Sequence, residues 1–105
     1  MGLLGEFIAD VILSPSVCIF SDEDLETLNI QIELPGVAKK NINLRLFEDG
    51  FHLEANKEGT KYRGTYALMF PIRPEKAIAK YSDGLLTVNV PYKEPFQEGI
   101  KVKIE

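Results

Sequence analysis

Ala79-Lys80-Tyr81-Ser82-Asp83-Gly84-Leu85-Leu86-Thr87-Val88-Asn89-Val90-Pro91 reads as strand, Asp-Gly turn and strand. An Asp-Gly pair between two strand-forming runs is a strong short-range mark of a hairpin. Beyond Pro91 and Pro95 comes Ile100-Lys101-Val102-Lys103-Ile104-Glu105, a lone alternating run with no partner nearby in sequence. Its aliphatic residues share one face and its charged residues the other. A strand built this way fills pockets with alternate side chains while its backbone pairs with a sheet edge, so it implies a docking site elsewhere.

The same period of two extends upstream. Leu28, Ile30, Ile32 and Leu34 alternate with Asn29, Gln31 and Glu33 as a half-buried strand that stops at Pro35-Gly36. Proline fixes one turn angle there and glycine permits the next. Ile42, Leu44 and Leu46 alternate with Asn43 and Arg45, and Glu48-Asp49-Gly50 marks a hairpin into a return strand with Phe51, Leu53 and Ala55 on one face. Lys57-Glu58-Gly59 turns again into an extended run from Thr60 to Pro71, and Ala77 to Tyr81 and Leu85 to Val90 close the last hairpin. Seven to eight short strands with a turn about every ten residues predict an all-β antiparallel sandwich.

Met1 to Leu13 differs in period. Leu3, Leu4, Phe7, Ile8, Val11 and Ile12 recur at helical spacing and leave Gly5, Glu6, Ala9 and Asp10 on the other side, so a short amphipathic helix is expected. Isolated helices shorter than about 12 to 15 residues are marginal in water, so this arm needs a surface, its own domain or a neighbour. Three segments result: an N-terminal arm over 1–13, a sandwich over 14–92 and a C-terminal extension over 93–105.

Composition excludes several classes. At 105 residues the chain is one domain, and 45% hydrophobic residues are too many for disorder. A net charge of −4 disfavours a general affinity for nucleic acid or an anionic membrane. Cys18, the single cysteine, cannot form an internal disulfide and reads as a buried or half-buried small hydrophobe. The apolar start lacks a basic n-region and is interrupted by Glu6 and Asp10, and no stretch is long enough to span a bilayer, so the expected location is cytoplasmic.

Chemistry-bearing patterns are thin. His52 is the only histidine and has no second ligand at metal-site spacing. Ser14, Ser16, Ser21 and Ser82 have no base at a motif-like distance. Asp22, Glu23, Asp24 and Glu26 lack the spacing and mid-loop glycine of a calcium loop, and Gly36, Gly50, Gly59 and Gly84 sit at separate turns rather than in a phosphate cradle. No catalytic residue, metal site or cofactor is expected.

Pro15-Ser16-Val17-Cys18-Ile19-Phe20-Ser21-Asp22-Glu23-Asp24 leading into Ile32-Glu33-Leu34-Pro35-Gly36-Val37 resembles the opening of an alpha-crystallin domain, the core of the small heat shock proteins. Ala79, Asp83, Gly84, Leu85 and Leu86 match that family's A-x-x-x-n-G-v-L signature, and Val102-Lys103-Ile104 resembles its C-terminal I-x-I/V anchor, with Ile100-Lys101-Val102 as an overlapping register. The resemblance covers about Ser14 to Glu105. It implies an immunoglobulin-like sandwich and an ATP-independent holdase that takes unfolded or partly folded client proteins and assembles with itself.

On that resemblance Ile100, Val102 and Ile104 are the assembly anchor. Their groove is expected between the strand at Phe51 to Ala55 and the strand at Ala77 to Tyr81, at Phe51, Leu53, Ile78 and Ala79. Prokaryotic relatives carry a long excursion that donates an edge strand to a dimer partner, but the tight turn within Glu54 to Tyr62 leaves no room for one. The apolar run Tyr66 to Pro71 instead suits burial on both faces or pairing of the long strand with its copy, as in animal relatives, with Tyr62, Tyr66 and Leu68 as the dimer strand. A dedicated interaction or co-chaperone module with a single partner is the alternative.

Overall fold

A computed structural model describes residues 11–94 and 100–105. Among these residues, eight strands carry almost all of the regular structure: β1 (Val11–Leu13), β2 (Ser16–Ser21), β3 (Thr27–Glu33), β4 (Ile42–Phe47), β5 (Gly50–Lys57), β6 (Thr60–Ala67), β7 (Ile78–Ser82) and β8 (Leu85–Pro91). Single 3-10 turns at Lys39–Asn41 and Pro74–Lys76 join strands across the molecule. One sheet has the order β1-β6-β5-β4 and the other β2-β3-β8-β7. The predicted all-β sandwich is therefore the observed fold.

Period-two alternation explains the core. Leu28, Ile30 and Ile32 of β3 and Leu86, Val88 and Val90 of β8 point inward from one sheet, and Phe51, Leu53, Ala55 and Tyr62 from the other. Leu34, Val37 and Ile72 close the ends. Burying one such large aliphatic or aromatic side chain contributes about 1.5–3 kcal/mol, so this central layer sets the stability.

The two sheets are tied together at the Pro35-Gly36 corner. Tyr81 Oη lies 2.7 Å from the carbonyl oxygens of both Leu34 and Val37, and the Leu34 N–H donates to Gly84 O at 2.7 Å. From the opposite sheet, Lys57 Nζ donates to Pro35 O at 2.9 Å. Gly84 has φ +79°, and a β-carbon there would meet Pro35 Cα at 3.2 Å. The signature glycine is thus required by both its turn angle and its clearance from the corner.

Three expectations need correction. Val11 and Ile12 lie in β1, which pairs with β6 in parallel, Val11 against Thr60 and Leu13 against Tyr62; residues 1–10 of the expected helix lie outside the described residues. Val11 and Ile12 are β-branched and β6 offers an open ladder, so tertiary pairing overrides the helical spacing. The run from Thr60 to Pro71 is a strand only to Ala67, because Leu68 turns its N–H to Asp49 O at 2.8 Å. Cys18 is exposed, since β2 is an edge strand and alternation sets Cys18 on its outer face.

Candidate functional site

Ile100, Val102 and Ile104 are 93%, 76% and 92% exposed, and residues 100–105 form no strand with the sandwich. Three aliphatic side chains at alternate positions therefore stand in solvent, separated by Lys101 and Lys103. That arrangement is costly to leave uncovered and suits an edge-adding strand.

A groove of matching character runs between the two sheets at β4 and β7, the terminal strands of their sheets. Ile42 and Leu44 form one wall, Ala79 and Tyr81 the other, and Leu86 lies at the base of a cavity of about 210 Å³ rimmed by Lys39 and Lys80. The inward residues of β4, Ile42, Leu44 and Leu46, stay only half-buried because among the described residues no strand lies beyond them. Small Ala79 leaves the gap that a larger residue would fill.

The expected groove residues are only partly brought together here. Phe51 and Leu53 are fully buried in the core, because β5 is an interior strand, and cannot receive a ligand. Ile78 is 63% exposed but pairs with Asn89 on the outer face of β7, whereas Ala79 pairs with buried Val88 and faces the groove. Sequence reasoning missed Ile42, Leu44, Tyr81 and Leu86. Their signal was present in the alternation of Ile42, Leu44 and Leu46, but not the fact that β4 faces β7.

The expected dimer strand is divided. Tyr62 is buried on the inner face of its sheet, paired edgewise with Leu13 of β1, and Tyr66 faces inward, its ring 4.7 Å from that of Phe51 and nearly parallel to it. Burial pushes the Tyr66 hydroxyl pKa up. Leu68 lies beyond the strand, in the wall of a second apolar cavity of about 400 Å³ with Ile19, Phe20, Met69, Phe70 and Tyr92. Phe70 and Tyr92 meet edge to face at 6.3 Å.

The outer face of β5 and β6 is polar. Glu54 Oε1 is 3.3 Å from His52 Nε2 and 3.2 Å from Arg63 Nε, while Thr65 Oγ1 is 2.7 Å from His52 Nδ1. With Nε2–H directed at the carboxylate, a neutral His52 ring accepts the Thr65 hydroxyl proton at Nδ1. The His52 hydrogen bond holds the Glu54 carboxyl below its ordinary value; burial opposes this, and the positive charges of Lys61 and Arg63 support it.

The fold has counterparts among known proteins. Residues 17–93 match the PIH1 CS-like domain. The chain belongs to the PIH1 CS-like domain family. This PIH1 CS-like chain also has an alpha-crystallin-like fold: it superposes on heat shock protein 16.0 from Schizosaccharomyces pombe with a TM-score of 0.69 at 23% identity, covering 89% of this chain and 99% of that one. It is 28% identical to the probable 15 kDa heat shock protein of Leptospira interrogans serogroup Icterohaemorrhagiae serovar Lai, over 90% of this chain and 82% of the relative. Small heat shock protein C4 of Rickettsia felis is likewise 28% identical, over 89% of this chain and 65% of the relative. The resemblance to small heat shock proteins drawn from the opening segment, the signature and the tail is thus borne out.

Proposed function

We propose that the chain is an ATP-independent holdase that binds partly unfolded proteins and limits their aggregation through exchangeable oligomer contacts. One observation carries this reading: Ile100, Val102 and Ile104 stand uncovered on a chain that also presents a half-open furrow of Ile42, Leu44, Ala79 and Tyr81. The tail of one subunit enters the furrow of another. Its release exposes aliphatic surface on both, and a client's collapsed apolar segments occupy the same surfaces. The arm residues Leu3, Leu4, Phe7 and Ile8 supply a further apolar contact for clients or subunits.

Magnitudes favour exchange over locking. Each buried aliphatic contributes about 1.5–3 kcal/mol, and ordering the tail costs about 1–2 kcal/mol per residue of backbone. These terms nearly cancel for six residues, so one tail contact is weak and several in an assembly hold by multivalency. The lysines on the tail and those at Lys39 and Lys80 repel, which loosens the contact further. Such a protein acts by binding alone, without catalysis or a cofactor, in the cytoplasm.

The test is light scattering from a heat-aggregating client with substoichiometric chain and no ATP. Suppression that grows with the amount of chain is expected. No suppression at any ratio, at temperatures where the sandwich remains folded, would replace the holdase with a module dedicated to one partner, the role for which the PIH1 CS-like match leaves room.

A further inference from the structure

The outer face of β4, β5 and β6 carries a charge opposite to that of the whole chain. Phe51, Leu53 and Ala55 point inward from β5, so His52 and Glu54 point outward, and directly paired residues share a face. Arg45 therefore stands beside His52 and Arg63 beside Glu54, with Lys61 one row further along β6. Three fixed cations and an imidazole meet the single carboxylate of Glu54, in a chain of net charge −4. Glu54 meets Arg63 at Nε, and among the described residues Arg45 has no ionic or hydrogen-bonding partner. Phe47 is exposed on the same face, two residues from Arg45.

The turn between β2 and β3 has the complementary character. Asp22, Glu23, Asp24 and Glu26 lie there with no cation among them. Two of these carboxylates are engaged inside the turn: Asn29 Nδ2 donates to Asp22 Oδ1, and the Glu26 N–H donates to Asp24 Oδ1 at 2.9 Å. Glu23 and Glu26 are exposed, and among the described residues neither carboxylate meets a cation. Leu25 stands between them, exposed, at φ +59°, a backbone angle uncommon for a leucine. Because β2 and β3 belong to the other sheet, the turn does not reach the cationic face of its own chain. A second copy can bring the two together.

We propose that the Asp22–Glu26 turn of one copy docks on the outer β4-β5-β6 face of another, with Glu23 and Glu26 against Arg45 and Arg63 and Leu25 against Phe47. The two arginines stand on strands about 10 Å apart, far enough to take one carboxylate each. Guanidinium–carboxylate pairs are directional as well as attractive, so the contact has a fixed orientation. Each copy offers both surfaces, and a contact between unlike surfaces adds subunits head to tail, into a ring or an open row. It uses neither the tail nor its furrow and stands whether or not the chain is a holdase.

Sedimentation velocity on Val102→Ser/Ile104→Ser chains separates this contact from the tail. Self-association is expected at about 0.01 M salt and should weaken at about 1 M, where the Debye length falls from about 30 to about 3 Å. Arg45→Glu/Arg63→Glu and Glu23→Lys/Glu26→Lys should each lower it about tenfold or more. Mixing these two variants should restore it, because the reversed face of one then meets the reversed turn of the other. Circular dichroism establishes folding. Arg45→Glu alone, which breaks no bond within the chain, should act in the same direction and keeps the test if the double change unfolds. Association indifferent to salt, charge reversals without effect, or mixing without recovery would overturn the proposal. So would a polyglutamate peptide that binds the face of a chain showing no self-association, which would assign the face to an acidic segment of another protein.

Discussion

The Tyr66 ring lies across Gly64. A β-carbon at Gly64 would stand 2.5 Å from Tyr66 Oη and 2.6 Å from Cε2, so the absence of a side chain two residues earlier allows the ring to lie there and stack on Phe51. An aromatic ring covering a strand glycine supplies the packing that the glycine lacks. Gly64→Ala is therefore expected to displace the ring and cost about 1–3 kcal/mol by overpacking. Urea denaturation measures it, and an unchanged midpoint would show that Tyr66 has room elsewhere.

Tyr81 ties β7 to the corner after β3 through one hydroxyl shared by the carbonyls of Leu34 and Val37. Tyr81→Phe keeps the ring in the β4–β7 furrow but leaves these part-buried acceptors without that donor. A loss of about 1–3 kcal/mol is expected. At roughly 4–8 °C per kcal/mol for a domain of this size, a thermal melt resolves it.

Substituting Val102→Ser and Ile104→Ser removes aliphatic surface that touches no strand of its own sandwich. The melting temperature should stay nearly constant while the mass of the assembly falls, as read by size-exclusion chromatography with light scattering. Unchanged mass would detach the tail from assembly.

Glu54 gives the acid limb a specific contributor. Its carboxyl pKa lies below the ordinary 4.5, chiefly through the His52 hydrogen bond, so the folded state binds the proton less readily than the unfolded chain. The resulting stabilisation is present above the unfolded value and disappears as pH falls through the lowered folded value. Wild type and Glu54→Gln should differ most above the unfolded carboxylate range and converge once pH has fallen through the lowered folded value. Parallel stability curves over that range would remove Glu54 as the cause.

Cys18 on the outer face of an edge strand should react with a thiol reagent in the native protein without prior unfolding. Cys18→Ser should change stability by no more than about 0.5 kcal/mol. Protection of the thiol until the chain unfolds would place Cys18 inside an assembly contact.

The hairpins were legible because each pairs a period-two apolar run with a glycine turn, as at Asp83-Gly84 and Glu58-Gly59. What could not be read was lateral order. Phe51 and Leu53 present the same alternation as Ile42 and Leu44, yet only the latter border a furrow, because β5 is interior and β4 terminal. Cys18 misled for the same reason. The arm misled differently: Val11 satisfies a helical stripe and a strand face alike, and the bare edge of β6 decides between them.

The corner at Pro35 gives the sandwich a polarity. Lys57 grips it from one sheet, and Tyr81 and Gly84 from the other, all at the end where β5 finishes and β6 starts. The apolar cavity beside Met69 lies at the far end of β6. That end is fastened by other means: the Ile72 N–H donates to Glu48 O and the Lys93 N–H to Pro71 O, each at 2.9 Å, and Lys93 Nζ lies 2.7 Å from Glu48 Oε1, so the two layers are clasped at both short ends by unlike bonds and the mouth between Leu28 and Leu68 lies beside a clasp.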